Sequence, residues 1–137
     1  MADLIVALVA LCGIVGLAVL ARSARAAKRA RSVTVSLVVD SIGARRRLAD
    51  GRSEVASWPA LTVVEVVRTT VRTSDGADAF VLLEEHADSG CLVPLGVGHD
   101  TVLLAELARL PGFDLRRFSE ARSGKPPART VIWERTG

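Results

Sequence analysis

Residues 4–21 read LIVALVALCGIVGLAVLA, 18 positions without a charge, and Arg22, Arg25, Lys28, Arg29 and Arg31 follow directly. As a helix rising ~1.5 Å per residue, the uncharged run covers ~27 Å, close to the ~30 Å hydrocarbon core of a bilayer. A chain that begins this way must place two different materials, so the expectation is a transmembrane helix over residues 1–21, a basic juxtamembrane linker over 22–32 and a folded domain over 33–137.

A cleaved signal peptide needs positive charge ahead of a shorter apolar core and a small-x-small site behind it. Here Asp3 precedes the core, the core is longer, and the arginines come after it. The segment Val9-Ala10-Leu11-Cys12 departs from a lipid-attachment motif because Leu11 stands where a small residue belongs. A retained signal anchor is therefore expected. Basic residues flanking a span stay on the cytoplasmic side, which puts the N-terminus outside and the C-terminal domain in the cytoplasm of a cell-membrane, single-pass protein. Arg22, Arg25, Lys28, Arg29 and Arg31 then lie at the membrane surface. They either hold the linker to anionic headgroups of the lipid bilayer or serve only to set topology. Cys12 and Gly16 form one small-xxx-small pair that can seat a partner helix, so a membrane protein or a second copy is a further candidate partner.

The basic pI of about 9.5 invites a nucleic-acid reading. Removing the five linker positives leaves 13 basic against 14 acidic residues in 33–137, a nearly neutral domain. With no Tyr for stacking and only Arg45, Arg46 and Arg47 as a local cluster, no nucleic-acid partner is expected. Arginine outnumbers lysine 16 to 2 and Asn and Gln are absent, a bias resembling GC-rich, actinobacterial-type genomes.

Strand signals dominate from Val33 to Leu95. VTVSLVV at 33–39 alternates with period two, ARRRL follows at 44–48, and Ala49-Asp50-Gly51 supplies a turn before RSEVASW. LTVVEVVRTTVRT at 61–73 is the longest β-branched run; AFVLLEE and CLVPL follow, separated by polar turns. Beyond Leu95, Asp100 can cap a helix with Leu103, Leu104, Leu107 and Leu110 on one face, and Asp114 can cap LRRFSEAR with Leu115 and Phe118 on one side. RTVIWER closes the chain as a returning strand. The expected class is α+β: an antiparallel β-roll or curled sheet, curled on itself or split into two layers, with one or two C-terminal helices and a final strand.

Ser57-Trp58-Pro59-Ala60-Leu61, Leu110-Pro111-Gly112-Phe113-Asp114 and Val131-Ile132-Trp133-Glu134-Arg135 together resemble a group of small, uncharacterised, membrane-anchored bacterial proteins, in which LPGFD precedes a C-terminal helix and a tryptophan-containing strand. The likeness covers roughly residues 40–135 and implies no activity. The order of strands also looks like a pleckstrin-homology-like roll, from which the chain departs by adding a strand after its helices.

No catalytic or metal-binding residue and no cofactor is assigned. Cys91, His86 and His99 could build a thiol site, but Cys91 alternates with Val93 in a strand, as a buried cysteine does. Asp75, Asp78 and Asp88 fall in turns without a calcium-loop pattern, and Ser123-Gly124-Lys125 lacks the strand-to-helix setting of a phosphate loop. On a strand, Arg45 and Arg47 share one face and Arg46 the other. They can meet lipid phosphate or an acidic partner, or simply protect an edge strand. The leading expectation is a non-enzymatic interaction or scaffold module at the cytoplasmic membrane surface; the alternative is a small membrane-tethered enzyme or ligand-binding domain.

Overall fold

The computed structural model describes Arg29 and residues 32–86 and 89–136. In chain order these are strands β1 (Thr34–Val39), β2 (Gly43–Leu48) and β3 (Ser53–Ser57), a 3-10 turn at Trp58–Ala60, strands β4 (Val63–Arg68), β5 (Ala79–His86) and β6 (Ser89–Pro94), helices α1 (Asp100–Leu107) and α2 (Leu115–Arg122), and strand β7 (Ala128–Glu134).

The β-roll or curled sheet is corrected to a split arrangement, the other form that the strand pattern left open. The strands form two antiparallel sheets, three-stranded β1-β2-β3 and four-stranded β6-β5-β4-β7. The break falls at Trp58-Pro59-Ala60, where proline at the start of the 3-10 turn withdraws a ladder donor and redirects the chain. β4 therefore pairs with β5 and with the returning β7 instead of with β3. No helix among the described residues is long and apolar enough to cross a membrane. The transmembrane helix expected over residues 1–21 lies outside the described residues, as do Arg22, Arg25, Lys28 and Arg31 of the linker.

Turn chemistry sets the first sheet. Asp40 Oδ1 accepts from the backbone N–H of Ile42 at 2.9 Å and closes the β1–β2 hairpin. Gly51, at φ 87°, takes the left-handed angle of the β2–β3 turn. The LTVVEVVRTTVRT run is strand only as far as Arg68. Beyond it, Thr69 N–H donates to Asp78 O and Thr73 N–H to Ala77 O, so the second half of the β-branched run folds into a loop.

One face of the larger sheet, with Val64, Val66, Val81, Leu83, Cys91 and Val93, meets Ala44 and Ala56 of the smaller sheet in one core. Leu103 and Leu107 of α1 and Phe118 of α2 close it, all at 2% exposure or less. Leu115, expected beside Phe118, is 58% exposed. Asp114 caps α2 by accepting from the N–H groups of Arg116 (3.0 Å) and Arg117 (3.3 Å). Asp100 does not cap α1 in this way; its carboxylate accepts from Gly96 N–H at 2.8 Å and pairs with Arg122 at 2.8 Å. The opposite face of the larger sheet buries Phe80, Leu82 and Leu92. Glu65 interrupts the valines of β4 there, and Arg129 reaches it and Glu84, the latter at 3.2 Å.

Candidate functional site

The three consecutive arginines of β2 have three different fates. β2 is the middle strand of its sheet and not an edge. Its alternation sends Ala44, Arg46 and Leu48 inward and turns Arg45 and Arg47 outward.

Arg46 is enclosed, its side chain at 0% exposure. A guanidinium carries five N–H donors, and burial requires that each find an acceptor. Nε donates to Thr34 Oγ1 at 2.7 Å. Nη1 donates to Glu54 Oε1 at 3.1 Å and to Arg29 O at 3.2 Å. Nη2 donates to Ser32 O at 2.8 Å and to Asp75 Oδ2 at 3.1 Å. Thr34 also donates from its backbone N–H (2.8 Å) and its hydroxyl (2.6 Å) to Asp75, while Glu54 accepts from the backbone N–H of Leu92 at 3.0 Å. One side chain thus ties β1, β3, β6 and the β4–β5 loop together. Asp75, expected only to shape a turn, is one of its two buried carboxylate partners. Arg46 is in consequence not available to an outside ligand.

Arg45 and Arg47 stay at the surface. Arg45 pairs with Asp40 at 2.6 Å. The Arg45 hydrogen bond, followed by the Ile42 N–H, holds the Asp40 carboxyl below the usual carboxylate range. Arg47 is exposed and its guanidinium has no partner among the described residues. Across the sheet Val38, Arg45 and Val55 stand in one row, and Ser36, Arg47 and Ser53 in the next. Val38 is 46% and Val55 53% exposed. Of the linker cations only Arg29 is described; it lies 3.7 Å from Glu54 and feeds the Arg46 network through its carbonyl.

A second arginine group is assembled from distant parts of the chain. Arg68 at the end of β4, Arg72 in the following loop and Arg122 at the end of α2 line a cleft of about 290 Å³, with Asp78 as the carboxylate among its walls. Arg68 Nη1 donates to Arg122 O and to Gly124 O, the latter at 2.9 Å, satisfying carbonyls at the C-terminal end of α2. Its Nε is enclosed and has no acceptor among the described residues. Sequence reading missed this group because Arg68 and Arg122 are 54 positions apart. The available signal was an arginine ending the valine run of β4, where a solvated strand end needs no fixed partner.

The three pieces behind the sequence resemblance meet at one corner. Trp133 Nε1 donates to Pro111 O at 2.7 Å, and Arg135 Nε donates to Leu61 O at 2.7 Å with its guanidinium 5.5 Å over the Trp133 ring. Gly112 takes φ 77° at the bend, Phe113 packs near Phe118, and Asp114 starts α2. The corner is accounted for by packing and capping.

No family model, curated protein or solved structure matches this chain.

Cys91 sits in the main core at 0% exposure, and burial, then the charge of Glu54, pushes its thiol up to about 12. Neither His86 nor His99 is a hydrogen-bond partner of Cys91 among the described residues. Nor do those residues include a group of His, Cys, Asp or Glu placed to hold a metal ion. Ser123-Gly124-Lys125 lies at the C-terminal end of α2, opposite in polarity to the helix start that a phosphate loop uses. Asp88 lies outside the described residues.

Proposed function

We propose that the domain is an interaction module held at the cytoplasmic membrane surface, and that it meets a membrane-associated protein partner through the outer face of the three-stranded sheet. The supporting observation is where apolar surface is left uncovered. Among the described residues, five of the nine exposed large apolar side chains, Val33, Val35, Val38, Ile42 and Val55, belong to this sheet, its first hairpin and the residue before it. Arg45 stands between Val38 and Val55 and Arg47 between Ser36 and Ser53 in the next row, so the face fits a partner segment that carries both apolar and acidic side chains. The uncharged run at residues 4–21 and the basic residues behind it are the basis for placing this face beside a bilayer.

A photo-crosslinking residue at position 55 of the full chain, expressed in its native membrane, tests the reading, with position 102 on α1 as an exposed control. The expected result is one discrete adduct from position 55, lost with Arg47→Glu, and none from position 102. An adduct of twice the chain mass identifies the partner as a second copy. Absence of any protein adduct from position 55 overturns the docking face, and an active alkaline phosphatase fused to the C-terminus overturns the cytoplasmic placement.

A further inference from the structure

The cleft between the end of β4 and the end of α2 holds a guanidinium that is only half used. Arg68 spends Nη1 on two carbonyls of the α2 terminus, which fixes the plane of the group. The remaining edge, Nε and Nη2, is the pair that grips an oxyanion side-on. Nε is enclosed without an acceptor, and Nη2 has no partner among the described residues. An enclosed donor without an acceptor is a standing cost that an anionic oxygen removes.

Two further cations face the same space. Arg72 is exposed and its side chain is unpaired among the described residues; Arg122 offers Nη2 while its Nη1 is bound to Asp100. Against these three stand Asp78, which lines the cleft, and Asp100, already matched to Arg122. The α2 terminus would itself repel an anion, but Arg68 Nη1 covers its last carbonyls. The volume, about 290 Å³, lies just below the ~300–1,000 Å³ of sites that enclose drug-sized ligands, so it suits a small group.

We propose that this cleft binds a phosphate-type oxyanion, met first by Nη2 of Arg68, joined by its Nε as the guanidinium is uncovered, and flanked by Arg72 and Arg122. The group is either a lipid headgroup phosphate or a free phosphate. The site uses none of the residues of the three-stranded sheet and stands without the partner-docking reading.

Full-length chain in neutral maltoside micelles, titrated with inorganic phosphate against chloride at constant ionic strength, tests it through the arginine Nε–H resonances. The Arg68 signal, identified by its loss in Arg68→Lys, is expected to shift saturably. Arg72→Ala is expected to weaken binding about tenfold, equivalent to about 1.4 kcal/mol, and Asp78→Asn to tighten it. Neither variant removes a side-chain contact among the described residues, so both keep the test open if Arg68→Lys fails to fold. Nanodiscs separate the sources: a shift in discs containing phosphatidic acid without added phosphate identifies the headgroup, and a shift that needs inorganic phosphate identifies the free ion. The proposal is overturned if neither source moves the Arg68 resonance, or if Arg72→Ala leaves the phosphate affinity unchanged.

Discussion

Arg46 and Arg68 both stand on strands and carry their guanidinium groups into the protein, but they meet opposite company. Arg46 is surrounded by two carboxylates, a hydroxyl and two carbonyls, so every donor is used and the group serves as a fastener between elements. Arg68 is held along one edge only and leaves an enclosed donor over a cleft. Burial alone therefore does not separate a structural arginine from a binding one. Counting filled donors does.

The comparison breaks most sharply at Arg46. Arg46→Ala leaves Asp75 buried without its counter-charge and Glu54 with only Arg29 at 3.7 Å, and removing one partner of a buried ion pair costs ~3–5 kcal/mol. Urea unfolding of the full chain should show that loss. Replacing Arg46, Glu54 and Asp75 together with apolar residues of similar size should recover much of it, because the penalty lies in the unpaired charge. A loss below ~1 kcal/mol for Arg46→Ala would place it among ordinary surface arginines.

Arg68→Ala should cost less, about 1–3 kcal/mol, the worth of charge-assisted bonds to the α2 carbonyls. The substitution also removes the enclosed Nε, which offsets part of that cost. Amide exchange should rise locally in the last turn of α2, whereas Arg46→Ala should raise it across both sheets. Uniform loss of protection in both variants would erase the distinction.

What the sequence revealed of these two sites follows from distance along the chain. The turn at Gly51, the cap at Asp114 and the face formed by Leu103, Leu104, Leu107 and Leu110 are local patterns that could be read from neighbouring residues, whereas the period-two alternation of VTVSLVV holds only at Leu37 and Val39, because a register shift between Thr34 and Ser36 leaves Val33 and Val35 exposed. Even the alternation of Arg45, Arg46 and Arg47 across a strand was legible. What Arg46 would find on its inner side was not, because Asp75 is 29 positions away and its turn composition already had a sufficient explanation. The place of the two-sheet split was hidden for a related reason: Trp58-Pro59-Ala60 reads as an entry to a strand, and only β7, arriving from the far end of the chain, makes β4 interior. Leu115 misled because a two-turn helix has too few positions for its apolar spacing to fix which side is buried.

A smaller effect is expected at the surface pair of the first sheet. Asp40 has its carboxyl held down by Arg45 and the Ile42 N–H, so its contribution is present above the ordinary carboxylate range and lost as pH falls through the folded value. Arg45→Ala should return the Asp40 titration, followed by carboxyl NMR, toward the ordinary range while leaving the fold intact. If Asp40 keeps its low titration without Arg45, the Ile42 N–H dominates and Arg45 is freer to meet a partner than its 2.6 Å contact implies.

In the unsubstituted chain the smallest reactivity is expected at Cys91, and it links the others. The thiol is buried in the core, one residue along β6 from the amide that Glu54 accepts, and burial followed by Glu54 pushes it up to about 12. A protonated, enclosed thiol does not react with iodoacetamide, since the thiolate is the nucleophile. Alkylation of the native chain at pH 8, mapped to the Cys91 peptide by mass spectrometry, should be close to nil and should proceed only through opening. Under that condition the rate follows the open population, so a loss of ~3–5 kcal/mol in Arg46→Ala multiplies it by roughly 10²–10⁴. Arg68→Ala should raise it less, because α2 can fray without exposing β6, and Arg47→Ala should leave it unchanged. Equal rates in the Arg46 and Arg68 variants would mean that the α2 terminus and the two sheets open as one unit, and the contrast between the two arginines would then be one of contacts without a difference in stability.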